Sequence, residues 1–265
     1  MAEAAIMTSD SLWQQVRGEA QRVADADPIF GRALAGTILA HDDFAAALSD
    51  LIGRRLGGSE AERARVSAFS LAAFRGSPDL IELASRDLQA IAIHDPAIAD
   101  LLPPLLHFKG YVALQAWRVS NWLWLHDHRD AALLFQNEAS NALQVSIHPA
   151  ASIGSSVYLD HATGIVIGAN VVIGPRASVG NGVRLHPNVT IYEGASIGSD
   201  STLHSGVSVR ENCEIGSRNS AKCVTTAPSA KLATIPIIHA AIEVRRRPDS
   251  SAGSEAVSRS RIRHL

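Results

Sequence analysis

The sequence is short of cysteine, of aromatic side chains and of any charge bias. Its two cysteines, Cys213 and Cys223, cannot build a disulfide framework and lack the paired spacing of a metal site. They read as thiols of a reduced compartment, with no metal expected. Twenty-four basic and 26 acidic side chains leave a formal net charge of −2 over 265 residues. That balance gives no electrostatic case for nucleic acid or an anionic membrane. No apolar run approaches the ~18 residues of a membrane span. The first ten residues show no basic flank leading into an apolar stretch, so no secretory signal is expected and the cytoplasm is the expected location. Aromatics are only 5% of the chain, yet all four tryptophans precede residue 125 while most glycines follow it. The two halves are built on different plans.

The first half reads as helices over 10–143. Ser11 followed by Gln14 fits a capping box, and Asp27-Pro28 ends the first apolar face. Asp42 and Asp43 open another helix, with Phe44, Leu48, Leu51, Ile52 and Leu56 on one stripe before Gly57-Gly58. Ser59 to Arg75 follows, then Pro78 in the first turn of a helix carrying Ile81, Ala84, Leu88 and Ile91. Leu101 to Trp124 is a strongly apolar segment, whose tryptophans read as packing residues that each need one partner for the ring N–H.

From Ile147 the period is six. Ile147, Ile153, Leu159 and Ile165 form one series. After Gly164 the frame slips by two, and Ile167, Ile173, Val179, Leu185, Ile191, Ile197, Leu203, Val209 and Ile215 form a second, unbroken one. Glycine follows five of these residues, and the fifth hexad position is small or aliphatic, from Val171 to Cys213. Neither 3.6 nor 2 explains this period. A hexapeptide β-helix does, with three short strands per triangular coil, the aliphatic residue inward, and glycine or a small residue at the corner. Residues 147–220 make about four coils of roughly 18 residues each. Such prisms pack as trimers, and the clefts between neighbours are the default ligand sites.

Several motifs lie in one order: Asp-Leu-Gln-Ala-Ile (87–91), His-Asp-Pro-Ala (94–97), Phe-Lys-Gly-Tyr (108–111), Leu-Gln-Ala-Trp-Arg (114–118), Ile-His-Pro-Ala-Ala (147–151) and Leu-Asp-His-Ala-Thr-Gly-Ile-Val-Ile-Gly (159–168). In that order the chain closely resembles bacterial serine acetyltransferases over roughly 12–168. The resemblance implies an α+β chain whose N-terminal α-helical domain (1–143) precedes a left-handed parallel β-helix of hexapeptide repeats (144–220), with a poorly ordered tail over 221–265. It implies transfer of acetyl from acetyl-CoA, a co-substrate rather than a resident cofactor, to the hydroxyl of L-serine for cysteine biosynthesis. The matching catalytic base is His161, and Asp160 and Asp95 match substrate-binding aspartates. A base within hydrogen-bond reach is what a weakly nucleophilic hydroxyl needs, and carboxylates suit a substrate carrying an ammonium group. A homo-trimer or dimer of trimers is implied. So is cysteine synthase as a partner, reached in the family through a terminal isoleucine where this chain has Leu265.

Three departures bear on these expectations. Ser146 stands where the family has an aspartate that supports the imidazole, a loss worth one to several orders of magnitude in rate by order-of-magnitude reasoning. The family's Gly-Gly-Thr-Gly-Lys loop and Arg-His-Pro segment are missing. His186-Pro187 is a local likeness, with His186 read as a corner residue and carboxylate binding as its lesser option. Finally, Leu185 to Val209 looks more like the coils of UDP-3-O-acylglucosamine N-acyltransferases, a likeness of coil-building. The leading expectation is therefore serine O-acetyltransferase. The alternatives are an acyltransferase of the same fold with another acceptor, or a catalytically weak trimeric scaffold or regulator.

Overall fold

The computed structural model describes residues 7–95, 97–221 and 244–246. Eight α-helices come first: α1 (Ser9–Ala26), α2 (Pro28–Leu34), α3 (Phe44–Leu56), α4 (Glu60–Gly76), α5 (Asp79–His94), α6 (Leu102–His107), α7 (Lys109–Leu125) and α8 (Arg129–Leu143). A π-helical turn, Ala35–Leu39, continues α2. Local chemistry explains most of the boundaries. Asp27 ends α1 and its carboxylate caps α2 by accepting from the N–H groups of Ile29 and Phe30. Asp43 caps α3, and Ser59 with Glu62 forms a complete capping box on α4. Two boundaries differ from expectation. The cap of α1 is Thr8, whose hydroxyl accepts from the Ser11 N–H, so Ser11 lies inside the first turn. The apolar segment from Leu101 is two helices, because Pro103-Pro104 starts the short α6 and Phe108 is extended before α7.

Short strands then follow α8: β1 (Val145–Ile147), β2 (Ser152–Ile153), β3 (Tyr158–Leu159), β4 (Ile165–Ile167), β5 (Val172–Ile173), β6 (Ser178–Val179), β7 (Arg184–Leu185), β8 (Thr190–Ile191), β9 (Ser196–Ile197), β10 (Thr202–Leu203), β11 (Ser208–Val209), β12 (Cys213–Ile215), β13 (Ser220–Ala221) and β14 (Val244–Arg246). They form three flat faces, ordered β1-β4-β7-β10-β13, β2-β5-β8-β11 and β3-β6-β9-β12-β14. All pairings are parallel except β12 with β14, which is antiparallel. This is the expected α+β architecture, helices followed by a left-handed parallel β-helix. The hexad residues from Ile167 to Ile215 are all buried, as are their partners from Val171 to Cys213, and they fill the prism. The coils run two residues beyond Asn219, to Ala221. Apart from Ala221 and β14, the expected tail, Cys223 and the expected cysteine synthase contact at Leu265 lie outside the described residues.

The corners work differently from the expectation. Every sixth residue from Asn170 to Arg218 has a left-handed φ: Asn170, Arg176, Gly182, Asn188, Gly194, Asp200, Gly206, Asn212 and Arg218. Asparagine, aspartate and glycine dominate because they accept that conformation at low cost. The glycines that follow the inward aliphatic residues sit two positions earlier and serve close stacking. A Cβ on Gly174, for instance, would meet the backbone of Glu193 in the next coil.

The coils are not all of one length. Ile147 pairs with Ile167, and Ile167 with Leu185. The first coil therefore takes twenty residues and the next eighteen. Leu159 pairs with Val179, so the two extra residues lie between Leu159 and Ile165.

Helix α7 welds the helices to the first coil. Trp117 donates its ring N–H to the His148 carbonyl (3.2 Å), and the Asn121 amide donates to the Pro149 carbonyl (2.7 Å). Arg118 and Asp87 form a fully buried ion pair at 2.6 Å. Arg118 also donates to the Gly154 carbonyl (2.8 Å), while Asp87 accepts from Gln115 (3.0 Å) and from the Val157 N–H (3.2 Å). Burial pushes the Asp87 carboxyl above its usual range against the pull of Arg118, Gln115 and Val157. A charge so enclosed is tolerable because both carboxylate oxygens are hydrogen-bonded and a guanidinium is paired with it.

Candidate active site

The two surplus residues of the first coil are spent on the corner Asp160–Gly164. Its backbone is unusual, since His161 (φ 48°) and Ala162 (φ 61°) are consecutive left-handed residues without the glycine exemption. Three ties hold it. The Gly164 N–H donates to the Gln144 carbonyl (2.9 Å), the Asp160 N–H to the Val179 carbonyl (2.9 Å), and the Lys109 ammonium to the Thr163 hydroxyl. The N-terminus of α7 presses on the same corner through Gly110. A Cβ there would overlap the Leu159 carbonyl and stand 3.1 Å from the Ala162 Cβ, which gives the glycine of Phe-Lys-Gly-Tyr its reason.

The corner presents Asp160 and His161 outward. The His161 side chain is 85% exposed, and its Nε2 lies 3.6 Å from Asp160 Oδ1. The Tyr158 hydroxyl donates to the same oxygen at 2.8 Å. His94, the last residue of α5, stacks on the Tyr158 ring with centroids 5.5 Å apart and planes 10° from parallel. Asp95 follows as the C-cap of α5, its carboxylate accepting from the Ala97 N–H (3.0 Å). Burial, the bond to Asp160 and the charges of Asp160 and Asp95 push the Tyr158 phenol far above its ordinary value, so it stays a donor. A cleft of about 230 Å³ opens beside the corner, lined by His94, Tyr158, Asp160, Ser178, Ser196 and Ser199. A larger one, about 410 Å³, lies against Trp117 and Trp124 and offers no base.

Asp95, Asp160 and His161, named from sequence, thus meet at one corner with His94 and Tyr158. His186 stands apart from it, and the side-chain hydrogen bond of Ser146 is made elsewhere. Ser146 is on the outward face of β1, where its hydroxyl accepts from the Gln136 amide (3.1 Å). Among the described residues no hydrogen bond joins it to His161. His186 is an exposed residue at the corner after β7, stacked on His204 one coil away (5.1 Å, 17°). It belongs to the opposite edge of that face from His161. Tyr158 was not singled out from sequence, although a tyrosine two positions before Asp160, on the same face of a strand, was the available signal.

Known proteins similar in sequence and in fold come from one family. A family model described as serine acetyltransferase, N-terminal, matches residues 12–116, and one for the bacterial transferase hexapeptide matches 164–199. A serine acetyltransferase of Haemophilus influenzae is 37% identical over 179 residues, covering 68% of this chain and 67% of the relative. A solved serine acetyltransferase in complex with CoA superposes with a TM-score of 0.77 at 33% identity, over 80% of this chain and 91% of that one. The chain belongs to the serine acetyltransferase family. The match to the Salmonella typhimurium serine acetyltransferase, also 37% identical, spans 64% of that relative's length. A soybean serine acetyltransferase complexed with serine has a TM-score of 0.66 at 31% identity, over 78% and 96% of the two chains. Among the described residues, no helix is long and apolar enough to cross a membrane.

Proposed function

We propose that the chain is a serine O-acetyltransferase that uses acetyl-CoA. The observation that carries this reading is the corner itself, where His161 stands beside Asp160, Asp160 and Tyr158 line a serine-rich cleft, and the Asp95 charge at the end of α5 acts on Tyr158. The substrate ammonium is held by the Asp95 and Asp160 carboxylates. The imidazole nitrogen of His161 that does not face Asp160 takes the hydroxyl proton as the oxygen attacks the thioester carbonyl. The tetrahedral intermediate collapses with cleavage of the C–S bond, and the imidazolium returns its proton to the departing thiolate. Ser178, Ser196 and Ser199 give the acyl-CoA arm a small-residue, hydrogen-bonding bed. The same reading divides the chain into a helical domain over 1–143 and a prism over 144–220. It also assembles prisms into trimers with the clefts shared between neighbours, which light scattering tests directly.

The assay follows release of the CoA thiol after the full chain is mixed with acetyl-CoA and L-serine. Serine-dependent release is expected, falling by about 10²–10⁴-fold in His161→Ala. Release no greater than that of the variant overturns the proposal. One observation favours a second reading: His186 lies at another corner, so no described residue matches the family's carboxylate-binding pair. A panel of amines, sugars and hydroxy acids decides between acceptors, and reaction with L-serine alone removes the alternative.

A further inference from the structure

We propose that Asp160 is the carboxylate that orients the His161 imidazole in this chain, and that Tyr158 is the positioning residue that fixes Asp160 for that task. The inference rests on the reading of His161 as the base.

An imidazole 85% exposed needs a partner to select its tautomer and hold its ring. Two candidates come from the sequence, the neighbouring Asp160 and Ser146. Ser146 supplies no charge, and its hydroxyl is engaged by Gln136. Asp160 supplies a full charge, and its Oδ1 is the atom that faces His161 Nε2. At 3.6 Å the contact is longer than a hydrogen bond; closed as substrate binds, it keeps the hydrogen on Nε2 and leaves Nδ1 to take the substrate proton.

A carboxylate on an exposed corner is a poor guide unless it is itself held. Tyr158 and Asp160 are two residues apart on an extended segment, so both side chains leave the same face. The Tyr158 hydroxyl donates to Oδ1, the oxygen shared with His161. The strand below is fixed by Tyr158 N–H to the Ala177 carbonyl (3.0 Å), and the ring above by the stacked His94. A chain of contacts thus runs from α5 through His94, Tyr158 and Asp160 to His161. Among the described residues, the titratable groups tied to this chain of contacts and its corner are His94 and Asp95 from α5, Tyr158 and Asp160 from β3 and its corner, and Lys109 from α7, which is bound to Thr163.

The test is the NMR order of the His161 ring in the full chain, combined with steady-state kinetics. Asp160→Asn is expected to release the ring, dropping its order parameter toward the flexible range below about 0.6. Ser146→Ala should leave the ring order unchanged. Tyr158→Phe keeps the ring and its stack and loses only the hydroxyl. It should loosen His161 less than Asp160→Asn does and reduce kcat about 5–10-fold, with KM for serine and acetyl-CoA within about twofold. Ser146→Asp should raise kcat by less than about threefold. An unchanged ring order in Asp160→Asn, or an equal loss in Ser146→Ala, overturns the role of Asp160. A Tyr158→Phe variant with unchanged kcat, or one altered only in KM, overturns the role of Tyr158. The ring order is read without turnover, so a wild-type chain lacking serine-dependent release would refute the proposed function while leaving the orientation of His161 measurable.

Discussion

Arg118→Met is the sharpest probe of the junction between helices and coils. The change keeps much of the side-chain volume and deletes the guanidinium. Three contacts vanish: Nε to Asp87 (2.9 Å), an NH2 nitrogen to Asp87 (2.6 Å), and the same nitrogen to the Gly154 carbonyl (2.8 Å). Asp87 is left fully buried with two neutral donors, Gln115 at 3.0 Å and the Val157 N–H at 3.2 Å. Stranding a buried charge in this way costs about 3–5 kcal/mol. At about 2–4 °C per kcal/mol for a chain of this size, the thermal midpoint should fall by about 6–20 °C. Adding Asp87→Asn removes the charge and keeps an oxygen for the Val157 N–H. The double variant should recover at least half of the loss, leaving mainly the unanswered Gly154 carbonyl. Thermal unfolding at one fixed protein concentration measures both, because assembly makes the midpoint concentration-dependent. A fall of less than about 2 °C in the single variant, or a double variant no more stable than the single, would refute the account of this ion pair.

Two further outcomes concern the corner and the first coil. Gly110→Ala forces α7 away from Leu159 and Ala162, which should cost about 1–3 kcal/mol by overpacking. The same shift should cut acetyl transfer about 10–100-fold through displacement of the corner, and normal activity in a folded variant would contradict that placement. His148 gives a pH dependence. Burial holds its imidazole below the ordinary 6.5, and its Nδ1 accepts from the Ala150 N–H at 3.0 Å. The unfolded chain therefore takes up a proton that the folded chain refuses. Stability should be full above about pH 6.5 and decline as the pH falls through that value toward the folded one. His148→Asn, which keeps an acceptor, should flatten the decline measured between pH 8 and 5; an equally steep decline counts against His148 as its source.

Much of the prism was legible because its period has a single physical cause. An inward aliphatic residue every six positions is needed wherever parallel strands stack around one axis, and Ile167 to Ile215 obey it without exception. The left-handed residues were equally regular yet went unread, since Arg176 and Arg218 interrupt the run of asparagine, aspartate and glycine. The helices were legible where caps are local, as at Asp43 and Ser59, and misplaced where two hydroxyls compete, as at Thr8 and Ser11. The candidate site was legible only with the motif around it, because an Asp-His pair has no period of its own. The Asp87–Arg118 pair, 31 residues apart, and the Tyr158–Asp160 clamp depend on how α5 and α7 lie against the first coil, and no spacing rule encodes that.

The slip of two in the hexad frame has a consequence for how the Asp-His corner is built into the prism. The surplus at Asp160–Gly164 is even in number and sits at a bend, so the strands on either side keep their inward and outward faces. The strand register above and below the corner is the same kind of in-phase stacking with twenty and with eighteen residues per coil. The Asp-His corner is therefore a local enlargement of one turn, and it is the helices, through Gly110, Lys109 and Gln144, that are fitted to it.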